Sequence, residues 1–177
     1  MSLGLYLHIP YCFSKCRYCD FYSHPGERGV PDAYVEALLR ELSRFAPEAP
    51  LQPDTLYFGG GTPSLLRPEQ AKRLIDAARP MPGAEITLEA NPETVTEESL
   101  AGFREAGVNR ISFGVQSARD TQLRTLGRPH TAKQARAAFA AARRAGFTNI
   151  SGDIMLALPH YTEAEFDETL ELIEGGG

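Results

Sequence analysis

Residues 5–23 read LYLHIPYCFSKCRYCDFYS: an alternating apolar run, a proline at position 10, and then Cys12, Cys16 and Cys19 in the spacing CxxxCxxC. No other cysteine occurs in the 177 residues. The run over 5–9 has the period of a strand, and Pro10 ends it. A loop entered from the C-terminal end of a strand lies on the face where parallel α/β folds gather their chemistry. Three clustered thiols cannot build a disulfide framework, whereas a reducing compartment keeps them available to a metal. Structural zinc sites and ferredoxin-type clusters both take four protein ligands. The residues therefore leave two readings open. One is a zinc site completed by His8 or His24; the other is a 4Fe–4S cluster held at three irons, with the fourth free to bind another molecule.

Outward from this loop, short β-rich runs alternate with longer amphipathic ones, the pattern of βα units around a parallel sheet. Strands are expected over 5–9, 55–58, 85–90, 110–115 and 149–156. Helical spacing joins Tyr34, Leu38, Leu42 and Phe45 on one expected buried face, and Leu74, Ala77 and Ala78 on the next. Pro68 suits a first helical position, Thr162 with Glu165 makes a capping box, and Gly107 and Gly146 fall where helices stop. AGVNRIS at 106–112 returns as AGFTNIS at 145–151. Each is a glycine-ended helix entering a strand, and together they mark a βα period of about 40 residues. Five units are visible, whereas a closed eight-fold barrel takes about 250 residues. The expectation is an α/β fold, a partial TIM-like barrel around a parallel sheet. Residues 1–177 then form one core domain, the front part of a longer protein cut before its sixth strand and C-terminal domain, with the fifth strand left at an edge.

Composition narrows the partners. A hydrophobic content of 42% supports a core, and a formal charge of −5 disfavours nucleic acid. Arg143 and Arg144 fit a solvated helix face. No apolar run approaches the roughly 20 residues of a membrane span, and no basic segment precedes the first apolar one. With its reduced thiols, the chain is expected in the cytoplasm.

The later strands deliver their own chemistry to the same face. The second runs into FGGGTPS, where Gly60, Gly61 and Thr62 let backbone approach a ligand closely. TLEANPE ends the third strand with Glu89, SFGVQS puts Gln116 at the end of the fourth, LGRPH carries Arg128 a helical segment later, and SGDIMLALP holds Asp153 in the fifth. Each alone fits a satisfied buried group or a cap. Five equipped strand ends on one face read together as a site.

CxxxCxxC with an aromatic residue, Tyr18, just before the third cysteine resembles the radical S-adenosylmethionine superfamily. The resemblance implies a 4Fe–4S cluster on Cys12, Cys16 and Cys19. Its unique iron would chelate the amino and carboxylate groups of S-adenosylmethionine and donate the electron that cleaves the sulfonium to a 5′-deoxyadenosyl radical. The resemblance gives Gly60, Gly61 and Thr62 to the methionyl end of that cofactor, and makes Tyr6, Tyr18, Glu89, Gln116, Arg128 and Asp153 further cofactor contacts.

LYLHIPYC, YFGGGTPS, LEANPE, GVNRISFGVQS, LGRPH and DIMLALP extend the likeness over essentially the whole chain. They are similar to the group that holds the oxygen-independent coproporphyrinogen III oxidases and the HemW-type heme chaperones. The oxidase-type loop continues CxxxCxxCxC and follows a long N-terminal arm. Here Phe21 stands at the further cysteine position, and only Met1 to Gly4 precede the first strand. Both features favour the chaperone side, which implies heme binding and delivery to acceptor proteins. That role falls to the full-length protein, because the family's histidine-containing heme-attachment region has no counterpart in residues 1–177. Radical decarboxylation of coproporphyrinogen III, a step of porphyrin biosynthesis, is the alternative, and a zinc-stapled binding module is the third reading.

Overall fold

The computed structural model describes residues 2–45, 51–158 and 160–175. β1 (Gly4–Ile9) opens a sheet, and β2 (Tyr11–Cys12) and β3 (His24–Pro25) form a two-residue parallel pair in the loop beyond it. β4 (Thr55–Gly60), β5 (Glu85–Ala90), β6 (Arg110–Gln116) and β7 (Asn149–Ile154) complete the sheet in the order β1-β4-β5-β6-β7, every pair parallel. Between them run the helices α1 (Asp32–Phe45), α2 (Pro68–Ala78), α3 (Glu97–Ala106), α4 (Asp120–Leu126), α5 (Ala132–Arg144) and α6 (Glu163–Gly175).

Sheet order follows chain order, and α1 packs on α2, α2 on α3 and α3 on α5. The helices thus line one face of a curving sheet, the arc of a barrel rather than the two-sided layering of a doubly wound fold. Strand periodicity divides the residues accordingly. Leu7, Ile9, Leu56, Phe58, Leu88, Ile111 and Phe113 join the helices in the core, each contributing about 1.5–3 kcal/mol by leaving water. The other face is polar: Tyr6, Tyr57, Thr87 and Arg110 stand in one register row, and Glu89, Ser112 and Ser151 in the next.

The expected α/β architecture with five parallel strands is present, with β1 starting one residue early, at Gly4, and three strands ending at other residues than expected. β4 and β6 each run further, to Gly60 and Gln116, because pairing with the neighbouring strand continues there. β7 stops at Ile154, short of 156, where the chain turns toward Ala157 at φ +54° and leaves Leu156 64% exposed. Two helix faces each lose one expected residue, while Tyr34, Leu38, Leu42, Leu74 and Ala78 pack in or against the core as expected. In α1, Val35 and Leu42 are buried, whereas Phe45 is 74% exposed in the last turn. In α2 the buried stripe is Ala71, Leu74, Ile75 and Ala78, the i, i+3, i+4, i+7 set, and Ala77 faces solvent.

The punctuation matches expectation. Pro68 occupies the first turn of α2, Gly107 caps α3 at φ +113°, and Gly146 follows α5 at φ +89°. Glu165 N–H donates to Thr162 Oγ1 at 3.4 Å while Thr162 N–H donates to Glu165 Oε2 at 3.0 Å. β7 is the last strand of the sheet and is half-exposed along its length. Pro159 and the glycines at 176 and 177 lie outside the described residues. No described helix is long and apolar enough to cross a membrane.

Candidate cofactor site at the strand ends

The cysteine loop is pinned at its base and at its far side. His24 N–H donates to the Pro10 carbonyl at 2.6 Å and Glu27 N–H to the Cys12 carbonyl at 3.1 Å, closing the β2–β3 pair. Cys19 N–H reaches back to the Cys16 carbonyl at 3.2 Å, a tight turn between the two residues. Arg17 N–H donates to the Leu126 carbonyl at 2.9 Å, so the loop sits on the C-terminal end of α4. All three cysteines are free; Cys12 is buried and the other two are half-buried.

These thiols line a cavity of about 260 Å³ with Tyr18, Gly60, Gly61, Thr62, Glu89, Gln116, Arg128 and Asp153. Every site residue expected from the sequence is therefore brought together except Tyr6. That side chain is 54% exposed, stacks on Tyr57 at 6.0 Å between ring centroids and approaches His8 Nδ1 at 3.3 Å, beside the cavity. Among the described residues, no three His, Cys, Asp or Glu side chains gather around a point where one metal ion could sit.

Hydrogen bonds tie the cavity wall across strands. Thr62 Oγ1 donates to Cys12 Sγ at 3.6 Å and accepts from Asn91 Nδ2 at 3.1 Å. Arg128 donates from Nη1 to Cys16 Sγ at 3.4 Å and from Nη2 to Asn91 Oδ1 at 2.7 Å, and Nη2 also bonds the Gly114 carbonyl. Its Nε is buried with no hydrogen-bond partner among the described residues. Glu89 accepts from Tyr57 Oη at 2.8 Å and from Gly60 N–H at 3.1 Å. Below it a chain of donors runs from Arg110 Nη2 to Ser151 Oγ, on to Ser112 Oγ and then to Asp153 Oδ1, at 3.1, 2.9 and 3.1 Å.

The electrostatics follow from this burial. Glu89 is raised above the usual carboxylate value chiefly by burial, against the bonds from Tyr57 and Gly60, with Asp153 adding to the rise. Burial pushes the Tyr18 phenol up to about 12, against the neighbouring Arg128. Burial also works to discharge Arg128, but Tyr18 and Cys16 beside it outweigh that and hold it above the usual arginine value. The site thus pairs soft thiols with a fixed cation.

The glycines have a sharper reason than ligand approach alone. A Cβ on Gly61 would lie 2.6 Å from the Tyr11 carbonyl and 3.0 Å from Cys12 Sγ, and one on Gly60 would lie 2.6 Å from the His8 ring. They make room for the chain's own cysteine loop and for β1 as well as lining the cavity. Sequence reasoning missed Asn91 and Ser112. Asn91 carried a usable signal, an Asn-Pro pair at a strand end; Ser112 is an inward residue of β6 and shows itself only through register.

Comparison with known proteins agrees with this geometry. The family model of the radical SAM superfamily matches residues 6–173. The chain is 44% identical over 163 residues to the heme chaperone HemW of Escherichia coli (strain K12), covering 89% of this chain and 43% of that protein. It is 40% identical over 172 residues to the heme chaperone HemW of Bacillus subtilis (strain 168), covering 93% and 45%. The chain thus spans just under half the length of these relatives. Among solved structures, coproporphyrinogen III oxidase (HemN) from Escherichia coli, described as a radical SAM enzyme, superposes with a TM-score of 0.86 at 31% identity, over 99% of this chain and 42% of that one. With the matched model spanning nearly all of its residues, a parallel sheet of that fold and three free thiols at the strand ends, this chain belongs to the radical SAM superfamily.

Proposed function

We propose that residues 1–177 are the radical SAM core of a HemW-type heme chaperone, a cytoplasmic protein that binds heme and passes it to acceptor proteins. The observation that supports this reading most is the one cavity shared by Cys12, Cys16, Cys19 and every expected cofactor contact but Tyr6. The donor set fits the group the family implies: three soft thiols for iron, glycine backbone beside them, and a buried guanidinium whose Nε has no hydrogen-bond partner among the described residues. Cys12, Cys16 and Cys19 would hold a 4Fe–4S cluster. Gly60, Gly61 and Thr62, with Tyr18, Glu89, Gln116, Arg128 and Asp153, would hold S-adenosylmethionine. Tyr6 would act from the cavity's edge. When bound, the pair supplies one-electron cleavage of a sulfonium. The protein's own part would be to orient the cofactor: Arg128 would take a carboxylate, and Glu89 and Asp153 hydroxyl or ammonium donors.

The chaperone is favoured over the oxidase by the identity to HemW, 44% against 31% to the solved oxidase, and by Phe21 at the position of the oxidase-type further thiol. Anaerobic reconstitution of this chain is expected to give a brown protein with about four irons and an EPR signal that S-adenosylmethionine perturbs. A colourless protein with one zinc would replace the reading with the zinc-stapled module. In the full-length protein, stable heme uptake without turnover is expected. Anaerobic conversion of coproporphyrinogen III to protoporphyrinogen IX would assign the oxidase instead.

A further inference from the structure

His130 ends the LGRPH motif yet does not line the cavity, and its side chain is 0% exposed. Its Nε2 lies 3.1 Å from the Val115 carbonyl oxygen. A carbonyl only accepts, so the hydrogen of that contact sits on Nε2. Nδ1 lies 3.3 Å from Glu93 Oε2, a contact that is not a hydrogen bond, and neither atom has a hydrogen-bond partner among the described residues. The ring therefore sits between the turn after β5 and the end of β6, hydrogen-bonded to β6 and in contact with Glu93. Glu93 belongs to the short 3-10 turn (Pro92–Thr94) after β5, directly beyond Asn91, and Val115 lies at the end of β6.

The segment of β6 it bonds to is strained. Between Gly114 and Gln116, β6 advances two residues against one on β7, which makes Val115 the extra residue of a bulge. Ser117 N–H bonds back to the same Val115 oxygen at 2.8 Å, a γ-turn centred on Gln116, whose φ is +66°. A turn of that hand with a side chain at its centre is unfavourable and persists only where the surroundings over-determine it. Val115 is fully buried, so its carbonyl depends on these donors. The residue at the centre of that turn, Gln116, lines the cavity.

We propose that His130, set between Glu93 and the Val115 carbonyl, is a positioning residue that holds the turn at Gln116 and thereby sets the affinity of the cavity for S-adenosylmethionine. This rests on the reading of the cavity given above. His130 touches no cofactor; it acts through Gln116. A side chain that offers a donor at the Nε2 position keeps the turn, and one that offers none releases it.

The test compares wild type, His130→Leu, His130→Gln and Glu93→Gln on two measurements. The first is hydrogen exchange of the Ser117 amide in the cluster-free chain, which needs no cofactor. The second is the dissociation constant for S-adenosylmethionine in anaerobically reconstituted protein, with iron content measured alongside. His130→Leu is expected to speed Ser117 exchange and weaken S-adenosylmethionine binding, each by roughly tenfold, the scale of one buried hydrogen bond. Iron content stays at the wild-type level. His130→Gln returns both toward wild type, and Glu93→Gln falls between. In a Gln116→Ala background, His130→Leu causes no further loss of affinity. Wild-type affinity and Ser117 exchange in folded His130→Leu would overturn the proposal, as would a loss of affinity that persists undiminished in Gln116→Ala. Should His130→Leu fail to fold, unchanged exchange and affinity in Glu93→Gln overturn it equally. If wild type itself holds its iron but binds no S-adenosylmethionine, the reading of the cavity fails, while the Ser117 measurement still decides whether His130 holds the turn.

Discussion

At the scale of single residues the site is built from groups that water would suit better. Glu89 is the clearest case. Burial raises its pKa above the usual glutamate value, so across the interval between the two the folded chain keeps a proton that the unfolded chain has lost. Stability of the cofactor-free chain therefore falls as pH rises through that interval, and below it the penalty is absent. Glu89→Gln has no such slope. In urea denaturation at stepped pH, the variant should gain on wild type from the usual glutamate value upward and level off beyond the raised one, while binding S-adenosylmethionine more weakly. A stability gap that stays constant with pH would show that burial of the charge is not what Glu89 costs the fold. The position of Glu89 was legible only as one of several polar residues at strand ends on one face, since alone it fits a satisfied buried group as well. Its partners were not: Tyr57 lies 32 residues away and meets it only through sheet register.

At the scale of elements, the cysteine loop depends on a helix end that the sequence does not connect to it. Gly127 caps α4 at φ +73°, and a Cβ there would come within 3.1 Å of Arg17 Cγ and 3.3 Å of Arg17 N, the same amide that bonds the Leu126 carbonyl. Gly127→Ala is thus expected to cost about 1 kcal/mol for the left-handed cap and, beyond that, to unseat the loop. Urea midpoints should fall modestly, and iron per chain after reconstitution should fall with them. Full iron occupancy in the folded variant would detach the loop from α4. The large strands and the caps were readable because alternation, Pro68, Gly107 and Gly146 are local signals. β2 and β3 were not, because two residues carry no period. The outward drift of Phe45 and Ala77 has the same origin: helical spacing locates a stripe, while the neighbouring helix decides which edge of that stripe is covered.

At the scale of the whole molecule, the core and the site are separable. The core cluster draws on β1, β4, β5, β6 and the helices that cover them, and takes nothing from the loop between Cys12 and Gly29. The opposite face supplies Glu89, Ser112 and Asp153 to the cavity. Replacing Cys12, Cys16 and Cys19 together with Ala should therefore leave a cooperatively folding chain with an unchanged far-ultraviolet circular dichroism spectrum and no bound iron. A ligand that binds only the folded state adds stability by mass action, about 2.7 kcal/mol at a hundredfold excess over its dissociation constant. Reconstitution should accordingly raise the thermal midpoint of wild type, and S-adenosylmethionine should raise it again, whereas neither moves the triple variant. Retained iron in that variant would remove the thiols from the ligand set. Loss of its cooperative transition would instead show that the loop, despite lying outside the core, is needed to close the barrel arc at β1.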